Sequence, residues 1–162
     1  MPAERGSDIP KEIMRIQSMA IVSLSLTAAL SAQATLTTTF ASNNGQAGNM
    51  FDVVAINDLT IKSFDINVDP GSWDVEVYTL PSGMPYLPDV SNAAAWTLVG
   101  SASSIPSAGI NAPTILPICV DTFVPAGATQ AFYVTVTNGT SINYTNGSTT
   151  GALFASNADL EF

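Results

Sequence analysis

The fold is decided by residues 59–80, LTIKSFDINVDPGSWDVEVYTL, in which two alternating runs flank the turn DPGS. Three apolar residues alternate with polar ones before the turn, and three more do so after it. A period of two is typical of a β-strand with one buried face. Pro70 fixes its own φ and Gly71 accepts a positive φ, which favours a chain reversal. The stretch therefore predicts two β-strands joined at a tight turn.

Two topologies fit this reversal. In a hairpin, Asp65 would lie opposite Glu76, and like charges directly opposed across a ladder are unfavourable. A bound cation or the nearby Lys62 would relieve that conflict. In an arch, the two strands enter different sheets, so the two carboxylates never become partners. We expect the arch, with residues 69–71 crossing between the sheets.

The N-terminal residues 1–34 are typical of a secretory signal rather than of the fold. Lys11 and Arg15 precede an uncharged apolar run, which ends in the A-x-A pattern of a cleavage site at Ala34. The run is shorter than the roughly 20 residues that a membrane span needs. We therefore expect an N-terminal signal helix, no membrane span in the mature chain, and a secreted or cell-surface location.

The start of the chain is less regular than the rest of the signal. A start at Met14 would give a more typical signal, so residues 1–13 are a candidate mis-assigned start. The mature chain, residues 35–162, has the length of a single domain with one core.

The mature chain is strongly acidic. Of 13 acidic and four basic residues in the whole sequence, three of each lie in the signal, which leaves ten acids and Lys62. Neutralising phosphates requires Lys and Arg, so nucleic acid and anionic lipid surfaces are excluded as partners. The charge favours cations and neutral ligands instead.

Short alternating runs and frequent turns predict an all-β fold, an antiparallel β-sandwich that is jelly-roll-like. Asn138-Gly139 predicts a hairpin with Gly139 in a left-handed conformation and Val136 opposite Ile142. The lone Cys119 lies among aliphatic residues and is expected to be a small buried hydrophobe. The final run alternates up to Phe162, so we expect an open edge or a missing following strand.

Several stretches together resemble a known kind of module. They are FASNNGQAGNMFDV at 40–53, LTIKSFDINV at 59–68, AAAWTLVGSA at 93–102, FVPAGATQAFYVT at 123–135, INYTNG at 142–147 and FASNADLEF at 154–162. The resemblance is to a β-sandwich module of secreted, often multidomain proteins from environmental bacteria, which has no defined activity. It implies no catalytic residues. In similar modules a Trp-containing strand follows, so the resemblance implies a C-terminally truncated domain.

The sequence excludes several catalytic systems. Without histidine, neither Ser-His-Asp and Cys-His nucleophiles nor His-based zinc sites can form, and no Gly-rich phosphate loop occurs. Two carboxylates would suffice for a glycosidase, but acids on the outer faces of strands are ordinary. We therefore expect no enzymatic activity and no resident cofactor, with calcium as the one candidate ion.

The calcium hypothesis rests on oxygen ligands around the central turn, since calcium takes six to eight of them. The spacing mimics an EF-hand loop, but Pro70 stands where that loop requires glycine. A site of another geometry and a plain solvated acidic face remain the alternatives. The candidate metal ligands are Asp65, Asn67, Asp69, Asp74 and Glu76.

Aromatic rings provide the candidate ligand-binding residues, because the apolar face of a neutral sugar packs on them. Tyr86 lies in the long irregular segment 81–95, and Tyr78 lies on the outer face of its strand. Trp96 is a third candidate, although its alternation phase, like that of Trp73, favours the core.

Three functions follow from these features. The first is a non-catalytic extracellular structural or adhesion-type module of a bacterial secreted or surface protein. The second is a carbohydrate-binding module, with or without calcium. The third is an assembly subunit that recruits a neighbouring protein chain through an edge strand.

Overall fold

The computed structural model describes residues 33–42 and 44–162. This part of the chain forms strands β1 (Asn44–Gln46), β2 (Gly48–Ala55), β3 (Leu59–Ile61), β4 (Asp65–Ile66), β5 (Ser72–Thr79), β6 (Thr97–Pro106), β7 (Thr114–Ile115), β8 (Thr122–Val124), β9 (Thr129–Val136), β10 (Ile142–Tyr144) and β11 (Leu160–Glu161). Short 3-10 helices span Leu87–Asp89 and Ala93–Ala95. The predicted all-β class is confirmed. The expected signal helix and alternative start fall on residues 1–32, outside the described residues.

The largest element is a five-stranded antiparallel sheet in the order β11-β2-β9-β5-β6. The central strand β9 pairs with β2 on one side and β5 on the other. Its inward residues Phe132, Val134 and Val136 are buried, as the alternation predicts. One face of this sheet therefore contributes to the core.

Three short ladders, β1-β10, β3-β8 and β4-β7, make up the rest of the strands. An isolated bridge between Val68 and Ile142 joins the chain after β4 to β10. Residues 62–64 lie opposite the longer stretch 116–121. The β4-β7 ladder flanks the two segments at one end and the β3-β8 ladder flanks them at the other.

The core lies between the inner face of the large sheet and residues of these ladders. Val75, Val77 and Phe132 of the sheet belong to the same buried cluster as Val68 and Ile142. Phe51 and Phe64 pack against this cluster, with their ring centroids 5.5 Å apart. The residues 33–162 form one compact unit around this core.

The arch expected at the central turn is confirmed. β4 pairs with β7, whereas β5 pairs with β6 and β9, so the strands that flank the turn never pair. Trp73 closes the arch, because its Nε1 donates to the Asp69 carbonyl oxygen at 2.8 Å. Asp65 and Glu76 therefore belong to different ladders, and the charge conflict of a hairpin does not arise.

The hairpin predicted at Asn138-Gly139 is wrong. Val136 is paired with Val75, and Ile142 is paired with Gln46, so the chain crosses between ladders here too. The physical reason is that both edges of β9 are already occupied. Gly139 is also not in the left-handed region; a Cβ there would lie 2.6 Å from Trp73 Cζ3, so the residue is small to admit the indole ring.

Two further expectations are corrected. Cys119 is exposed, because Ile118 and Val120 on either side take the buried positions of the irregular segment between β7 and β8. The final strand is not an open edge. Phe162 N donates to Ala155 O at 2.8 Å, and β11 pairs with β2 on its other side.

Candidate functional site

Three aromatic side chains meet on the outer face of the five-stranded sheet. Tyr78 and Tyr133 are direct cross-strand partners, and their rings stack 5.9 Å apart at 27°. The Trp96 ring meets Tyr133 edge-on, also with a centroid distance of 5.9 Å. We call Tyr78, Tyr133 and Trp96 the aromatic cluster. All three rings are half-buried, so part of each ring remains accessible.

The alternation of side chains along β5 and β9 explains why the aromatic cluster lies on the outer face. Val77 in β5 and Val134 in β9 are buried in the core, so the residues next to them point to the opposite face. Gly48 of β2 makes room for Tyr133, since a Cβ at this glycine would lie 2.8 Å from Tyr133 Cε2. Tyr133 was not among the predicted site residues. Its position between Phe132 and Val134 was the signal that could have identified it.

Trp96 is held by the segment that precedes β6. Its Nε1 donates to Asp89 O at 3.0 Å, and Asn92 Nδ2 donates to Asp89 Oδ1 at 2.8 Å. These bonds tie the two 3-10 helices to the indole ring. Trp96 therefore lies on the outer face, so the core position that its alternation phase favoured is wrong, whereas Trp73 packs against the core as expected.

Tyr86 lies in the same segment but is anchored differently. Its backbone N–H donates to Asp52 Oδ1 at 2.9 Å, and its side chain is half-buried. Within the described part of the chain, no ring contact joins Tyr86 to the aromatic cluster. Burial raises the pKa of Asp52, and the hydrogen bond from Tyr86 N opposes that effect.

Glu76 orients one ring of the cluster. Tyr78 Oη donates to Glu76 Oε2 at 2.5 Å, and this bond to the carboxylate raises the pKa of the Tyr78 phenol. The site therefore presents aromatic ring faces beside a carboxylate acceptor. Such a surface can bind an uncharged ligand through stacking and hydrogen bonds.

The candidate metal ligands of the first strand are separated from one another. Asp65 is exposed in β4. Asn67 is buried, with its Nδ2 bonded to Phe40 O at 2.9 Å and its Oδ1 to Asn111 N at 2.8 Å. Asp69 Oδ1 accepts from Asn143 Nδ2 at 2.9 Å. Asn67 and Asp69 thus hydrogen-bond to different partners, and Asp65 is exposed.

The other two candidates share the outer phase of β5. Asp74 Oδ1 accepts from Ser104 N at 2.8 Å, and Glu76 accepts from Tyr78. In the part of the chain that the structure describes, no group of three or more His, Cys, Asp and Glu side chains is arranged to hold a metal ion. The structure therefore places Asp74 and Glu76 on the same face of β5, each with its own partner, and does not assemble the predicted set.

A second polar cluster lies beside the β3-β8 ladder. Lys62 Nζ and Asp121 Oδ1 form an ion pair at 2.5 Å, and Cys119 Sγ donates to Asp121 Oδ2 at 2.8 Å. The thiol bond and the lysine lower the pKa of Asp121. The same carboxylate raises the pKa of Cys119 and of Lys62. The arrangement favours the neutral thiol.

Comparisons with known proteins found no match: no family model, curated protein or solved structure matches this chain. Within the described residues, no helix has both the length and the apolar character that a membrane crossing requires.

Proposed function

We propose that this protein is a non-catalytic extracellular structural or adhesion-type module, built as an antiparallel, jelly-roll-like β-sandwich. The observation that carries the proposal is that its carboxylates accept backbone N–H groups of two loops and of the irregular part of β6. Asp52 binds Tyr86 N at 2.9 Å, Asp58 binds Ala126 N at 2.8 Å and Asp74 binds Ser104 N at 2.8 Å. Carboxylates that fix the position of the backbone through such hydrogen bonds are typical of a rigid scaffold.

Side-chain amides support the same interpretation. Asn138 binds the backbone of Ser72 and Asp74, and Asn157 Oδ1 accepts from Asp159 N and Leu160 N. Every buried side-chain polar atom of the described residues has a hydrogen-bond partner. A core with satisfied polar groups is typical of a well-ordered domain.

The proposed sandwich has the five-stranded sheet as one layer and the short ladders as the other, since both line one buried cluster. The extracellular location rests on the signal pattern of residues 1–34. The resemblance to modules of secreted bacterial proteins supports it.

Export is tested by expressing the full chain in a bacterial host and analysing culture medium and cell fractions by mass spectrometry. We expect a mature chain beginning at Thr35 outside the cytoplasm. Ala34→Asp is the matched control, because it removes the small residue of the cleavage pattern and should block processing. Full-length protein retained in the cytoplasm would contradict the proposal.

The scaffold role is tested by assaying the purified protein on a panel of hydrolase substrates and by thermal unfolding of Asp74→Ala and Asp74→Asn. We expect no turnover, a lower Tm for Asp74→Ala, and a smaller loss for Asp74→Asn, which keeps an acceptor for Ser104 N. Turnover that co-purifies with the protein and is lost in a carboxylate variant would overturn it.

The aromatic cluster favours a second candidate, a carbohydrate-binding module. Stacked Tyr78 and Tyr133 beside Trp96 and Glu76 provide ring faces and an acceptor for a neutral glycan. In this candidate, Asp74 and Glu76 are the residues that would bind calcium, since both share the outer phase of β5.

A glycan array, probed with and without calcium, separates the two candidates. Saturable binding that is lost in Tyr133→Ala and Trp96→Ala supports the carbohydrate-binding module. Tyr86→Ala tests whether the neighbouring loop contributes, and Tyr144→Ala, on the β1-β10 ladder, is the control that should bind normally. No binding in either condition favours the scaffold alone.

A further inference from the structure

Three Asn-Gly pairs occur in the chain, at 44–45, 138–139 and 146–147. An asparagine followed by glycine is chemically labile, because the glycine nitrogen can attack the side-chain amide carbon and glycine has no Cβ to hinder the approach. The attack requires the two atoms to lie in a near-attack geometry. The structure holds the first two pairs in different geometries.

The side chain of Asn44 is turned towards the backbone of Gly45. Gly45 N donates to Asn44 Oδ1 at 2.8 Å, so the amide carbon Cγ, one bond from that oxygen, lies within reach of the same nitrogen. Asn44 Nδ2 donates to Tyr144 Oη at 2.8 Å and to Asn146 Oδ1 at 3.3 Å. These two bonds hold the amide in this orientation at the end of the β1-β10 ladder.

The backbone nitrogen of Gly45 is not used by the β1-β10 ladder. Gly45 lies opposite Asn143, but Asn143 N donates to Asn67 O at 2.7 Å, on the other side of β10. In an antiparallel ladder, two facing residues turn their backbone groups either towards each other or both away. Gly45 N–H therefore points away from β10. Because every residue of β1 is exposed, water can reach this nitrogen.

The pair Asn138-Gly139 is also exposed, but its side-chain amide is held by other partners. Asn138 Oδ1 accepts from Asp74 N at 3.0 Å, and Asn138 Nδ2 donates to Ser72 O at 3.2 Å. Both bonds tie the amide to β5 rather than to Gly139. The Trp73 ring packs on Gly139, where a Cβ would lie 2.6 Å from Cζ3. Attack by Gly139 N would thus require the amide to leave both of its partners.

We propose that Asn44 is a site of spontaneous deamidation and that the fold protects Asn138 from the same reaction. Gly45 N loses its proton and forms a bond to Asn44 Cγ, while the Cγ–Nδ2 bond breaks and Nδ2 takes up a proton and leaves as ammonia. Water then opens the cyclic imide at either of its carbonyl carbons, which gives aspartate or isoaspartate. The net reaction consumes water and releases ammonia, so it needs no oxidant and no enzyme.

The product changes the end of the β1-β10 ladder. A carboxylate at position 44 has no N–H donor, so the bonds to Tyr144 Oη and Asn146 Oδ1 are lost. Isoaspartate also adds a main-chain atom to β1, which disturbs its register with β10. The modification therefore loosens β1 from β10 and adds a negative charge to an acidic chain. It does not depend on the proposed function.

The test compares the folded with the unfolded protein. The purified protein is incubated at pH 8 with and without guanidinium chloride, and peptide mapping by mass spectrometry measures the conversion of amide to acid at each asparagine. In guanidinium chloride we expect similar rates at Asn44 and Asn138, because both precede glycine. In the folded protein we expect Asn44 to convert about tenfold faster than Asn138, or more.

Two variants test the geometry, with circular dichroism as the check that each is folded. Gly45→Ala adds a Cβ that crowds the attacking nitrogen but lies an ordinary 3.5 Å from its neighbours, so it should slow conversion of Asn44 without unfolding the protein. Tyr144→Phe removes an acceptor of Asn44 Nδ2, so it should slow conversion in the folded protein and leave the rate in guanidinium chloride unchanged.

Three results would overturn the proposal. The first is conversion of Asn138 as fast as that of Asn44 in the folded protein. The second is an Asn44 rate that neither variant changes. The third is a Tyr144→Phe variant that slows Asn44 equally in the folded and the unfolded protein.

Discussion

The Asp121 carboxylate raises the pKa of two neighbouring side chains, Cys119 and Lys62. Its carboxylate accepts from the Cys119 thiol and pairs with Lys62, at an exposed position of the chain. A hydrogen bond from a thiol favours its neutral form, which raises the pKa of Cys119, while the lysine opposes this weakly. The reactivity of this cysteine therefore depends on one neighbouring side chain.

Replacing Asp121 is expected to make Cys119 more reactive. In Asp121→Asn the carboxylate charge is lost, so the thiol pKa falls towards its ordinary value and more thiolate is present at pH 8. The rate of alkylation by iodoacetamide, followed by mass spectrometry, should rise several-fold. Lys62→Met should slow it, because the lysine stabilises the thiolate. Equal rates in all three proteins would contradict this account.

Asp52 should make stability fall as pH rises. Because burial raises its pKa in the folded state, the folded protein binds more protons than the unfolded one above the ordinary pKa of 3.8. The protonated form is thus favoured by folding, and stability is lost as pH rises through the folded-state pKa. Asp52→Asn removes this loss and keeps an acceptor for Tyr86 N.

We therefore expect the Tm of Asp52→Asn relative to the natural protein to be higher at pH 7 than at pH 3, in thermal unfolding followed by circular dichroism. Asp52→Ala, which loses the acceptor, should be destabilised at both pH values. If Asp52→Asn loses as much stability as Asp52→Ala at pH 7, burial does not penalise this carboxylate.

At the scale of elements, the two arches are joined to each other. The first arch carries Trp73, whose ring packs on Gly139 of the second. Asn138 of the second arch accepts from Asp74 N at 3.0 Å and donates to Ser72 O at 3.2 Å. Each crossing between ladders thus stabilises the other.

Disturbing this junction should destabilise the whole domain. Gly139→Ala places a Cβ 2.6 Å from Trp73 Cζ3, and such overpacking costs about 1–3 kcal/mol of unfolding free energy. Gly147→Ala is the matched control, because its nearest contact is an ordinary 3.8 Å from Phe154. Urea denaturation measures both. Equal unfolding free energies for the two variants would show that the indole ring moves aside without cost.

At the scale of the whole molecule, charge is unbalanced. Ten acids and one lysine remain in residues 35–162, so like charges repel across the surface. Salt screens such repulsion over a Debye length of about 10 Å at 0.1 M. The natural protein should therefore be more stable in moderate NaCl than in very dilute buffer.

The measurement is Tm by differential scanning calorimetry at increasing NaCl concentration. We expect Tm to rise, and to rise less in Asp65→Asn, which removes one exposed charge of β4. A Tm that falls with NaCl would mean that the Lys62–Asp121 pair outweighs the general repulsion.

Sequence alternation predicted which residues point inward, because period two is a local property of the extended chain. Val75, Val77, Val134 and Val136 are buried as that pattern requires, and Tyr78 lies on the outer face. The arch at residues 69–71 followed from charge repulsion alone. Of the predicted ligand-binding residues, Tyr78 and Trp96 are brought together, but through Tyr133, which the sequence did not single out.

By itself, then, the sequence determined the all-β class, the inward phase of the main strands and the acidic surface. Only the tertiary structure decided which strands pair. The turns at 69–72 and 138–139 both look like hairpins locally, yet both cross between ladders. The reason is that pairing depends on distant partners: β9 uses both of its edges for β2 and β5, and no local pattern reveals that an edge is already occupied.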